Sequence, residues 1–138
     1  MWDLNVKSSF FLIKECYEML VKSKENKGAA NILVISSVAG RDPSHSIGVY
    51  GSTKAALDNM VKFLCKELMV DGIRINSLCP GLIRTAFSGP LTEVDGIDPA
   101  AIGTPDNIGS VAALISSPLD GAFMNGEIYY VHGGFAKM

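Results

Sequence analysis

Helix-like and strand-like segments alternate along this chain, and that alternation restricts the fold more than any other feature. Three short β-rich runs, at residues 32–36, 73–78 and 128–131, each follow a segment with helical spacing, at residues 2–21, 50–69 and from Thr104 onward. The order helix–strand–helix–strand–loop–helix–strand predicts an α/β architecture with a parallel sheet and right-handed crossovers. In the first helix Leu4, Phe11, Cys16, Tyr17, Leu20 and Val21 form an apolar stripe, which Phe10, Leu12 and Ile13 broaden. A helix this apolar around its circumference is expected to pack on more than one side. In the second, Ala56, Met60, Phe63, Leu64 and Leu68 recur at helical spacing. Residues 22–30 are polar and predict a loop, as does the Gly-, Pro- and Ser-bearing stretch 38–49. Thr104-Pro105-Asp106 is a helix start, with Thr104 as N-cap and Pro105 at the first helical position. Ile108, Val111, Ala112 and Ile115 then face inward.

At 138 residues, with 48% hydrophobic content and a mean hydropathy of +0.26, the chain can bury one real core and is greasy for its size. A buried parallel sheet accounts for part of this; surface meant for partner elements or subunits is the other source. Three strands make a thin sheet, and the strand at residues 32–36 is expected to leave one edge where further strands would pair. No apolar stretch reaches the ~18–20 residues of a membrane span. A net charge of −2 with no basic block argues against nucleic-acid binding. Cys16, Cys65 and Cys79 form no C-x-x-C pair and read as reduced thiols of an intracellular protein. His45 and His132 lack ligand spacing, so no metal site is expected.

The chemistry is concentrated in Tyr50 and Lys54. Four residues apart on a helix, they share a face, one turn above the other. An ammonium near a phenol favours the charged form of the phenol, and a tyrosine tuned in this way exchanges a proton near neutral pH. Ser37 ends the apolar run 31–37 and adds a hydroxyl. The three together form a carbonyl–alcohol redox site, and that chemistry needs a hydride carrier. No G-x-G-x-x-G turn precedes the first helix, so the chain reads as the second half of a larger dinucleotide-binding domain.

Several motifs, in this order, resemble the short-chain dehydrogenase/reductase family. They are Leu4-Asn5-Val6-Lys7, Ser37 before Val38-Ala39-Gly40, Tyr50-x-x-x-Lys54, Asn76, Pro80-Gly81-Leu82-Ile83-Arg84-Thr85, and Gly133-Gly134. Val38-Ala39-Gly40 is the reason for preferring Ser37 to Ser36. The resemblance covers nearly all of the chain but only the C-terminal half of the family's domain. It implies the C-terminal half of a Rossmann-type doubly wound parallel sheet, one partial domain over residues 1–138. It implies Asn5, Ser37, Tyr50 and Lys54 as the catalytic tetrad. It implies cofactor contacts from Tyr50, Lys54, Pro80, Gly81, Ile83 and Thr85, with NADP(H) ahead of NAD(H).

The implied substrate is a small ketone, aldehyde or alcohol, since the Tyr–Lys spacing is that of the carbonyl–alcohol reductases and not the wider spacing of enoyl reductases. In the family the two long helices build a four-helix interface, which implies a homodimer or tetramer. The stretch 86–103 looks shorter than the usual substrate loop and is expected to leave the site more open to water. Two functional expectations stand side by side: an oxidoreductase seen as a fragment or shortened product, and a truncated non-catalytic relative acting as an oligomerisation partner. Ala136-Lys137-Met138 loosely resembles a peroxisomal address of the S-K-L type. An ordinary tail is the preferred reading, so the cytoplasm is expected, with the peroxisome as the alternative.

Overall fold

The computed structural model describes residues 1–89 and 98–134. The C-terminal tripeptide and the middle of the stretch 86–103 therefore lie outside the described residues. A π-helical turn, Asp3–Lys7, runs directly into helix α1, Ser8–Lys27. The expected loop at residues 22–30 is mostly helix. Its lysines and glutamate are straight-chain residues that lose little freedom in a helix, so the polarity marks an exposed final stretch and not a break. Gly28 stops the helix at φ 72, its N–H donating to the Lys24 carbonyl.

Strands β1 (Asn31–Ile35), β2 (Arg74–Pro80) and β3 (Ile128–Val131) form a parallel sheet in the order β1-β2-β3. Asn31 pairs with Arg74, and Ser77 with Ile128. The central strand is the most deeply buried, with Ile75, Asn76, Ser77, Leu78 and Cys79 all inside. It runs past the expected end at Leu78, because Cys79 and Pro80 pair with Tyr130 and Val131 and the Gly81 N–H donates to the Val131 carbonyl. Among the described residues β1 pairs with β2 alone, leaving the free edge that the strand count implied.

Helix α2, Gly48–Leu68, packs on the sheet; Leu57, Met60, Val61, Leu64 and Leu68 meet Val34, Ile73 and Ile75 in the core. Phe63, counted with the inward stripe, is instead exposed. The expected loop between β1 and α2 contains two short 3-10 turns, Val38–Gly40 and His45–Ile47. Helix α3, Pro105–Ser116, starts as predicted; the Asn107 side chain accepts the Thr104 N–H at 2.8 Å, one half of a capping box. Ile115 is buried and Ile108, Val111 and Ala112 half-buried.

Arg74 ties this end of the molecule together. Its guanidinium donates to the carbonyls of Ile115 and Met124 at 3.1 and 2.9 Å and of Ser117 at 3.3 Å. Asn76 does similar work beside it: its amide donates to the Met124 carbonyl and accepts the Glu127 N–H. The entry into β3 is thus fixed by side chains of β2.

Candidate active site

The Val38–Gly40 turn after β1 and the first half of α2 approach backbone to backbone. A Cβ at Gly40 would lie 2.9 Å from the Ala55 nitrogen, and one at Gly51 would lie 2.4 Å from the Ala39 oxygen. Only residues without side chains permit that contact. It is the physical content of the short Val38-Ala39-Gly40 stretch after Ser37: the turn lies flat on the helix that carries Tyr50 and Lys54. Ser37 itself is extended (φ −162, ψ 153), and its Oγ accepts the Ala39 N–H at 3.2 Å. Its own O–H is left to donate elsewhere. The neighbouring Ser36 is buried, and its hydroxyl donates to the Lys54 carbonyl at 3.1 Å.

Tyr50 lies in the first turn of α2 and is half-buried. The Lys54 ammonium sits 5.6 Å from its ring centroid and donates to the Ile35 carbonyl at 3.0 Å. Burial lowers the Lys54 pKa, and the Asp58 carboxylate opposes that lowering. Asn5 reaches α2 from the side. Its Nδ2 donates to Thr53 Oγ1 at 3.0 Å, and the Thr53 hydroxyl donates to the Tyr50 carbonyl at 2.7 Å. Asn5 is thus joined to the helix backbone behind Tyr50, and it does not line the cleft.

Ser37, Tyr50 and Lys54 open into a single cleft of about 740 Å³, whose facing wall contains Pro80, Gly81, Ile83 and Thr85. A cavity of this size suits a small organic ligand. The facing loop is tightly folded. Gly81 passes so close to His132 that a Cβ on it would lie 2.7 Å from the His132 Cβ. Ile83 bridges Gly103, through Gly103 N–H to the Leu82 carbonyl and Arg84 N–H to the Gly103 carbonyl, both 2.9 Å. Ser88 Oγ donates to the Ile83 carbonyl and accepts the Thr85 N–H at 3.1 Å, and the Thr85 and Ser88 hydroxyls lie 3.0 Å apart. Thr85 therefore caps a turn as well as facing the cleft.

Between α2 and β2 lies a buried polar cluster. Asp58 accepts from Ser77 Oγ at 2.7 Å, and Cys79 Sγ lies 3.5 Å from the same oxygen. Burial pushes the Cys79 thiol up to about 11, so it stays protonated at neutral pH. The available signal was an acidic residue one turn past Lys54, inside the apolar stripe of α2. The Arg41 guanidinium stacks on the Tyr130 ring at 4.1 Å and pairs at 2.6 Å with Asp42, a lining residue of the cleft.

Comparison with known proteins agrees with this architecture. The family described as enoyl-(acyl carrier protein) reductase matches residues 1–136. The chain belongs to this family, the short-chain dehydrogenases/reductases. Among curated relatives it is 34% identical to dehydrogenase/reductase SDR family member 4 of Bos taurus, over 96% of this chain and 48% of that one. It is 32% identical to tropinone reductase-like 3 of Erythroxylum coca, over 96% and 52% respectively. A short-chain type dehydrogenase/reductase from Mycobacterium ulcerans superposes with a TM-score of 0.87 at 27% identity, over 99% of this chain and 50% of the other. The chain spans about half the length of the curated relatives it matches. Among the described residues no helix is long and apolar enough to cross a membrane.

Proposed function

We propose that this chain is the catalytic half of an NAD(P)-dependent oxidoreductase that interconverts a ketone or aldehyde with its alcohol. The observation that carries the reading is the single cleft shared by Ser37, Tyr50, Lys54 and the loop from Pro80 to Thr85. The donor set suits a nicotinamide riboside. Among the described residues Lys54 has one acceptor, the Ile35 carbonyl, which leaves further N–H donors for ribose hydroxyls. Pro80, Gly81, Ile83 (through its backbone) and Thr85 shape the facing wall, where a carboxamide would lie. NADP(H) is proposed ahead of NAD(H). The bound cofactor supplies the hydride.

The chain's own residues manage the charge and the proton. Negative charge develops on the substrate oxygen, and the Ser37 and Tyr50 hydroxyls donate to it, with Tyr50 giving up its proton. In this reading Asn5 acts through α2, holding Thr53 and so the turn that presents Tyr50. The spacing of one helical turn between Tyr50 and Lys54 favours carbonyl–alcohol substrates over enoyl ones. The cytoplasm is the proposed location, with the peroxisome as the alternative.

Turnover of carbonyl substrates with NADPH, alongside a fluorescence titration of NADPH, tests this. Tyr50→Phe is expected to lose about 10²-fold or more in kcat while NADPH binding is kept. Full turnover in that variant sinks the assignment. A second reading has its own support: α1 has no buried residue, and Phe10, Leu12 and Met19 face outward. That favours a subunit whose exposed helix pairs with a second copy or a full-length relative. Absence of NADPH binding at millimolar cofactor, together with stable self-association, selects this reading over the first.

A further inference from the structure

We propose that Asp58 is a positioning residue for Lys54, pinning α2 to β2 through Ser77 and keeping a negative charge one helical turn from the ammonium. Asp58 lies one turn beyond Lys54 on the same face of α2 and is only 7% exposed. Its Oδ1 accepts from Ser77 Oγ at 2.7 Å, and Cys79 Sγ lies 3.5 and 3.7 Å from its two oxygens. Both donors are buried residues of the central strand. The carboxylate is level with the Lys54 backbone: a Cβ on Gly40 would lie 3.0 Å from the Lys54 carbonyl carbon and 3.3 Å from Asp58 Oδ2.

Aspartates are rarely this buried without a charged partner. Among the described residues the ion pairs are Lys7–Asp3 and Arg41–Asp42, so Asp58 contacts neutral donors only. The nearby positive charge on its own helix face is Lys54, which burial would otherwise tend to discharge. The other ionisable groups around this face are Tyr50 on α2, Cys79 on β2, Tyr130 on β3, and the Arg41–Asp42 pair in the loop before α2. Ser36 completes the arrangement by holding the Lys54 carbonyl from β1. Ser36, just after β1, and Ser77, within β2, therefore grip one turn of α2, and Asp58 adds the charge.

The catalytic meaning of this coupling rests on the role proposed above for Lys54, but the coupling can be read without turnover. In the full chain with ¹³C-labelled lysine, the Lys54 ε-carbon resonance is assigned by its loss in Lys54→Arg and followed against pH by NMR. Asp58→Asn is expected to lower the Lys54 midpoint by about 0.5–1 unit. Asp58→Glu should recover most of that fall. Ser77→Ala keeps the carboxylate and should leave the midpoint within about 0.2 unit. If Asp58→Asn does not unfold cooperatively, Asp58→Leu, which fills the same space with an apolar group, must show the same fall. An unchanged midpoint in a folded Asp58→Asn or Asp58→Leu chain overturns the proposal, and so does an equal fall in Ser77→Ala. If Tyr50→Phe kept full turnover while Asp58→Asn moved Lys54, the catalytic reading would fail and the coupling would stand.

Discussion

Helices α1 and α2 are nearly equal in length and opposite in burial. α1 spans Ser8–Lys27 and has no buried residue, whereas α2 spans Gly48–Leu68 and buries eight. α1 leans on the core through Ile13, Leu20 and Val21 and turns Phe10, Leu12 and Met19 to solvent. α2 is gripped by the sheet beneath it and by the Val38–Gly40 turn beside it. The reacting side chains proposed here sit on the gripped helix and on the strand end next to it. Groups that must hold a fixed geometry belong on rigid elements, and in this chain α2 is the rigid one.

The contrast is open to direct attack. Leu57→Ala, in the buried stripe of α2, should cost about 2–5 kcal/mol of stability by chemical denaturation. A loss no larger than that of an exposed substitution would mean that α2 is not the anchor. Cys79, on β2 against α2, should give an alkaline signature. Its folded pKa of about 11 lies above the ordinary 9.0, so its contribution is complete below pH 9 and is lost as pH rises through 11. The wild-type curve minus that of Cys79→Ala should therefore fall by on the order of 2–3 kcal/mol across that window. Parallel curves would refute the burial argument.

Gly51→Ala pushes a methyl against the Ala39 carbonyl and should cost about 1–3 kcal/mol. A neutral result would show that the turn on α2 is free to move aside. The smallest effect is expected on α1: Leu12→Ser, at a position 66% exposed, should shift monomer stability by no more than about 0.5 kcal/mol. A larger loss, measured at a concentration where the chain is monomeric, would show that α1 is covered after all.

Much of the fold was legible. Thr104-Pro105-Asp106 announced α3, because capping and the fixed φ of proline act within a few residues. The end of α1 was not legible, since residues 22–27 are equally at home in a loop and on a solvated helix face, and Gly28 alone settles the matter. The expectation that α1 packs on more than one side is met on one face within this chain. Apolar breadth in a helix shows that it can be covered, but among the described residues only one stripe of α1 meets the core.

At the site, Tyr50 and Lys54 could be placed on one face by helical spacing alone. That Asn5 reaches Thr53, and that Thr85 is tied to Ser88, could not be seen, since both depend on distances between or within folded elements.

By itself, the sequence determined the order of elements and the parallel sheet, and it put Tyr50 and Lys54 one turn apart on one helix, because periodicity and capping are local properties. The tertiary structure alone decided that the Val38–Gly40 turn lies against α2 without side chains between them, and that Asp58, Ser77 and Cys79 cluster one turn beyond Lys54. Those contacts join residues far apart in the chain. They exist only when a close backbone approach and a buried carboxylate are satisfied together, which no single segment can encode.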